Sequence, residues 1–169
     1  RVSRGLGDVY KRQSENFAEK YNYLDEHKRA ACYAPLYPAS TEDCTRQLLR
    51  ATRPNILIII LEGFGGEYIE ELGGAKNVSP NISRLIREGI FFDNVYANSF
   101  RTDRGLVSTL SGHISYPTTS IMKLPAKSRL LPGIARTLQQ AGYQTDFLYG
   151  GDINFTNMRS YFTTTGYQH

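Results

Sequence analysis

The chain has 169 residues, 40% hydrophobic and 21% charged, with a formal net charge of +4 and an isoelectric point near 9.1. This suits one ordinary globular domain; the charge is mild and no long basic run occurs, which argues against nucleic acid as a partner and leaves room for a basic site that takes an anionic substrate. Two cysteines, Cys32 and Cys44, stand without neighbouring histidines and make no zinc signature, and no apolar run approaches the roughly 18–20 residues that span a bilayer.

The chain opens at Arg1, and "RVSRGLGDVYKRQ" resembles translated adapter sequence, so residues 1–13 are read as a leader foreign to the fold. Its last residues, "TTTGYQH", look like the interior of a longer protein. Residues 14–53 read as a polar, tyrosine-rich lead-in arm. "SENFAEKYNYLDEHKRAACYA" suits a helix, Pro35 and Pro38 then force an extended path, and Thr41 suits the cap of a short helix through Leu49. Cys32 and Cys44 in this arm could form one disulfide or stay as two thiols.

From Pro54 the pattern changes. "NILIIIL" is a continuous apolar run, expected of a strand buried on both faces of a parallel sheet. "SPNISRLIREG" predicts a helix with Ser79 as cap, Pro80 at its first position, Ile82, Leu85 and Ile86 on one apolar face, and Gly89 as its stop. "IFFDNVYA" predicts a strand, and "TDRGLVSTLSG" a helix beginning near Thr102. "LPGIARTLQQAG" predicts a helix with Ile134 and Leu138 inward and Gly142 at its end. "YQTDFLYGG" predicts another strand. Strands alternating with helices imply an α/β fold with a mostly parallel sheet flanked by helices.

Ligands of such sheets sit beyond the carboxyl ends of the strands, and Glu62 stands there on the first strand. Gly63, Gly65 and Gly66 let the backbone turn sharply behind it. A carboxylate in that place can hold a divalent cation; it can equally be a solvated strand-end acid. Thr102, at the start of a helix, has its hydroxyl where free N–H groups and the helix dipole favour negative charge, which suits an alkoxide or a bound phosphate; an ordinary threonine N-cap has the same sequence. Arg101 and Arg104 flank it, either as partners for phosphate oxygens or as solvated surface. Tyr149, Asp152, Asn154 and Asn157 could line a polar pocket, or serve turn chemistry. His113, alone after a helix, is read as structural.

Together these segments carry a resemblance. "RPNILIIILEGFGG", "SPNISRLIREGIFFDNVYA" and "LPGIARTLQQAGYQTDFLYGG" resemble successive blocks of the sulfatase-like branch of the alkaline phosphatase superfamily. Pro80, Asn81, Arg84, Leu85, Gly89, Phe92, Asn94 and Tyr96 follow the family's order and spacing. The resemblance covers Arg53 to about Gly166, and implies that residues 54–169 are the N-terminal part of a catalytic domain, alkaline-phosphatase-like and truncated at its C-terminus. Within that branch, the formylglycine sulfatases carry a C/S-x-P-x-R motif. The block here, "FRTDRGLVSTLSG", has Thr102 and lacks the proline. It is similar to the lipoteichoic acid synthase group, membrane-anchored phosphoglycerol transferases with a threonine nucleophile; phosphoethanolamine transferases also use threonine.

The resemblance implies Thr102 as nucleophile and metal ligand and Glu62 as metal ligand. It implies manganese as the cofactor, with magnesium, zinc or calcium as alternatives. Arg101, Arg104, Tyr149, Asp152 and Asn154 are the candidate substrate-binding residues for an anionic lipid head group or another phospho- or sulfo-ester. Tyr149 stands where the synthases carry a substrate-contacting histidine, and Thr156 and Met158 where a tryptophan and an arginine follow. The remaining metal ligands of the family, an Asp-His pair and its neighbours, lie downstream, so the chain by itself is expected to be inert and to bind manganese weakly. Membrane helices before the domain, and a position on the extracytoplasmic face, are further implications. The alternatives are a sulfatase- or phosphatase-like hydrolase of the same superfamily and, more distantly, a degenerate domain that only binds.

Overall fold

The computed structural model describes residues 16, 19, 21–36, 43 and 46–169. The chain divides into two compact units, residues 14–60 and 61–169.

In the first unit the described residues include the α-helix Glu26–Tyr33 (α1). Asp25 caps it, its carboxylate accepting from the Lys28 amide at 2.9 Å. The short turn Ala34–Leu36 follows, where Pro35 ends the helical pattern. Thr41 and Cys44 lie outside the described residues, and residues 46–49 are not helical, so the helix expected there does not reach Leu49. Cys32 is exposed as a free thiol. The apolar run Ile56–Ile60 is assigned to no strand and pairs with no neighbour among the described residues, and Leu57 is 83% exposed.

No strand is assigned among the described residues. The three expected strands are not assigned as strands among the described residues, so the parallel sheet of the expected fold is not seen in them. A strand exists only when its N–H and C=O groups pair sideways with another. The Phe92, Val95 and Tyr96 side chains of the second candidate stand exposed. Among the described residues only the third begins to pair: Gln168 N–H donates to the Thr145 carbonyl and Phe147 N–H to the His169 carbonyl, both at 2.9 Å.

The helices of the second unit follow the sequence more closely. Pro80–Glu88 (α2) starts with proline at its first turn, between Ser79 and Gly89. Ser79 gives no side-chain cap; its hydroxyl donates instead to the Tyr68 carbonyl. The expected apolar face of α2 is covered in part: Ile82 and Ile86 are half-buried, Leu85 is exposed, and Ser83 is the fully buried residue, bonded to Glu71 at 2.9 Å. Thr102–Ser111 (α3) ends at Gly112, which takes the left-handed conformation. Two elements were not anticipated, the short turn Ile121–Lys123 and the four-residue helix Pro125–Ser128 (α4). Ile134–Gln140 (α5) turns Ala135 inward and leaves Ile134 outside, one position from the expected face. Met158–Thr165 (α6) is also additional, and stops at Gly166.

The core lies between α3 and α6. Leu106, Val107 and Leu110 from α3 meet Met158, Tyr161 and Phe162 from α6, with Met122 from the intervening turn. Spacings of three and four residues put each set on one helix face. The Ser111 and Tyr161 hydroxyls meet inside this core at 2.5 Å, so neither polar group is buried without a partner. This packing fixes α3, and hence the residues at its N-terminus.

Candidate active site

Glu62 ends the apolar run, and Gly63 after it takes φ +69°. A left-handed residue of this kind favours glycine and turns the chain just beyond the carboxylate. Forty residues later, Arg101 is the N-cap residue of α3, with extended backbone (φ −107°, ψ 135°). Its carbonyl accepts from the amides of Arg104 at 3.1 Å and Gly105 at 2.8 Å. Thr102 is thus the first helical residue and not the cap. Its hydroxyl, spared from capping, donates to Glu62 Oε1. The backbone N–H groups of Thr102 and Asp103 have no acceptor among the described residues. An exposed carboxylate, a half-buried hydroxyl and two free helix N–H groups therefore share one spot, with the positive end of the helix dipole behind them.

Asp103 is the residue that reading the sequence missed. Its side chain is 2% exposed and lies between two cations, Arg101 Nε at 3.3 Å and Lys123 Nζ at 3.9 Å. The signal was present as an acid bracketed by arginines in "RTDR"; nothing in the sequence pointed to Lys123.

Arg104 faces elsewhere. Two residues along a helix is more than half a turn, so Arg104 and Thr102 sit on different sides of α3. The Arg104 guanidinium donates to the Pro117 carbonyl at 3.1 Å, and with Val107, His113, Tyr116 and Ile121 it lines a small open pocket. His113 packs edge-on against Tyr116 with ring centroids 5.2 Å apart, and its carbonyl accepts from the Ser108 hydroxyl at 2.8 Å.

The third group of candidates is not joined to Glu62 or Thr102 by any hydrogen bond or ion pair among the described residues. Tyr149 is half-buried, stacked on Phe147 at 6.3 Å against the edge of the core. Asp152 Oδ1 accepts from Asn154 through both its amide (2.9 Å) and its side chain (3.0 Å). That is an Asx-type turn, the local use these residues favour. Asn157 takes φ 64° just before α6.

Glu62 and Thr102 contribute oxygen donors, the chemistry that manganese, magnesium and calcium prefer. The pair fits such a cation by donor type and could offer it two oxygens. No group of three His, Cys, Asp or Glu side chains able to hold a metal occurs among the described residues.

A family model described as Sulfatase matches residues 54–169. An N-acetylglucosamine-6-O-sulfatase of Bacteroides thetaiotaomicron is 30% identical over 115 residues, 66% of this chain and 20% of that protein. An ulvan-active sulfatase of Formosa agariphila is 31% identical over 117 residues, 61% of this chain and 20% of that one. The chain thus spans about one-fifth of the length of these curated relatives. No solved structure matches it.

Proposed function

The chain belongs to the Sulfatase family, whose members depend on metals, generally divalent cations, and from that premise we propose that it forms part of a phospho-head-group transferase in which Thr102 is the nucleophile. The observation that carries the reading is the hydrogen bond from Thr102 to Glu62 at the open end of α3. A sulfatase of the formylglycine type needs an aldehyde, made from the CH₂ carbon of cysteine or serine. Threonine bears a methyl group there and cannot give one, so its hydroxyl must react directly.

In the proposed reaction Thr102 Oγ1 attacks the phosphorus of an anionic lipid head group such as phosphoglycerol. The Oγ1–P bond forms as the bond from phosphorus to the diacylglycerol oxygen breaks. Glu62 orients the hydroxyl and faces its proton, and diacylglycerol leaves with a proton in balance. An acceptor hydroxyl then displaces Oγ1, which regains its hydrogen. The free N–H groups of Thr102 and Asp103 face charge that develops on the phosphoryl oxygens. A divalent cation bound through Glu62 and Thr102 would lower the hydroxyl pKa and neutralise oxygen charge.

The second reading is a hydrolase, in which water takes the acceptor's place and phosphate or sulfate is released. Its support is that both relatives above bear the name sulfatase. The reactions of the whole protein differ in one product. Full-length enzyme incubated with head-group-labelled phosphatidylglycerol and a hydroxyl acceptor is expected to move label onto the acceptor. Release of label only to water would favour the hydrolase. The transferase reading also places the domain on the extracytoplasmic face of the membrane, where such lipids are used; no helix among the described residues is itself long and apolar enough to cross a membrane.

A further inference from the structure

The buried Asp103 carboxylate needs an explanation. It occupies the position after Thr102, with Oδ1 accepting from Arg101 Nε at 3.3 Å. Its Oδ2 accepts no hydrogen bond among the described residues, and Lys123 Nζ stands 3.9 Å from it, beyond hydrogen-bonding length. For folding alone, an apolar residue at this place would serve as well or better, because desolvating a carboxylate with an unsatisfied oxygen is costly.

The surroundings locate both cations. The Ser120 hydroxyl donates to the Asp103 carbonyl at 3.3 Å, tying the turn Ile121–Lys123 to the first turn of α3. Met122 in that turn is wholly buried in the core. Lys123 is therefore held beside the helix end by its own backbone. Yet its side chain remains 43% exposed, and that of Arg101 46%. The Lys123 ammonium and the two outer nitrogens of Arg101 make no hydrogen bond among the described residues. With Asp103 between them and the Glu62 carboxylate on Thr102, the four side chains balance in charge, and it is the unspent N–H donors of the two cation heads that are left for an anion.

We propose that Arg101 and Lys123 are the two arms of an anion clamp, and that Asp103 between them is its positioning residue. The clamp takes the non-bridging oxygens of the tetrahedral ester transferred to Thr102. The assignment rests on the reading of Thr102 as acceptor of that group and adds Lys123 as a second substrate-binding cation. Asp103 touches no substrate. It holds the Arg101 fork on one carboxylate oxygen and the Lys123 ammonium near the other, leaving their remaining N–H groups for the charge-assisted bonds that such groups form best.

The test is equilibrium binding of inorganic phosphate to the 169-residue chain, followed by the NMR shifts of the Thr102 and Asp103 amides. Lys123→Gln is expected to weaken phosphate binding about tenfold, equivalent to 1.4 kcal/mol, while Lys123→Arg keeps it. Asp103→Asn separates positioning from simple charge. Removing a negative charge would by itself tighten phosphate binding; loss of positioning weakens it, and weakening is expected. Unchanged affinity in Lys123→Gln overturns the clamp, and tighter binding in Asp103→Asn overturns the positioning role. Should Asp103→Asn unfold, as circular dichroism would report, Lys123→Gln decides alone. Phosphate binding makes no covalent bond, so the clamp can fail while Thr102 still forms its adduct, and the reverse.

Discussion

The hydroxyl of Thr102 donates to the carboxylate of Glu62, joining the first turn of α3 to the end of an apolar segment forty residues earlier. The bond exists because Arg101, and not Thr102, is the N-cap residue. A capping threonine would spend its oxygen on the amides of its own helix. Here the oxygen is turned to an acid that can orient it and share a cation with it.

Replacing Thr102 by alanine in the full-length enzyme should therefore lower turnover by about a thousandfold or more, the scale of losing a covalent nucleophile. The phospho-enzyme adduct, looked for by mass spectrometry after a rapid quench, should vanish with it. Near-normal turnover in that variant would remove Thr102 from the mechanism.

The described residues offer two oxygen donors and no cluster of three acidic, histidine or cysteine ligands. Calorimetry of the 169-residue chain with manganese is accordingly expected to show a dissociation constant in the micromolar range or weaker, because tight sites for hard cations need six or more oxygens. Glu62→Gln should abolish that residual binding. A submicromolar constant would show that the site is already complete within this chain.

Burial pushes the Tyr161 phenol up from 10.0 to about 12, outweighing the hydrogen bond with Ser111 that acts to lower it. The unfolded phenol ionises near 10, so the folded value is the raised one. Its stabilising contribution is then complete below pH 10 and is lost as pH climbs toward 12. The gap is worth roughly 3 kcal/mol. Tyr161→Phe should flatten the fall of stability between pH 10 and 12 in denaturant titrations. Tyr167, also raised by burial, leaves some slope in the variant. At neutral pH the same change should cost about 1–3 kcal/mol, because the Ser111 hydroxyl loses its buried partner. A variant with the slope of the parent chain would contradict the assignment.

Gly166 closes α6 at φ +113°, and a Cβ there would lie 2.9 Å from the Arg136 backbone nitrogen of α5. Both the backbone conformation and the contact exclude a side chain. Gly166→Ala is expected to destabilise the chain by about 2–3 kcal/mol, combining left-handed strain with a clash against main chain. Gly105, inside α3, has open space around its Cβ position. Gly105→Ala should stabilise by roughly 0.5–1 kcal/mol through helix propensity. Thermal melts that rank the two variants in the opposite order would refute the packing described for the α5–α6 contact.

The elements read best from the sequence were those whose signals are local. Pro80 and Gly89 bracket α2, and Thr102 and Gly112 bracket α3, because helix starts and stops are set within one turn. The strand candidates have no assigned strand among the described residues. Their apolar character is plain, but Leu57, Phe92, Val95 and Tyr96 find no cover, and apolar character alone supplies no ladder. The helical face of α5 was misjudged by one residue, since Ala135 packs inward where Ile134 was expected. Shape against a neighbour, which periodicity does not contain, decided that.

At the site, residue type and position along the chain were legible without coordinates: an acid closing an apolar run, a hydroxyl opening a helix, turn-forming Asp152 and Asn154. Those depend on chemistry within a few residues. Tertiary structure alone decided that Arg104 turns to Pro117 and that a lysine twenty residues beyond Asp103 stands against its buried carboxylate. Such pairings follow from how α3, α6 and the turn between them fill one core. Packing of that kind is a property of the surfaces in contact, and no stretch of sequence carries it by itself.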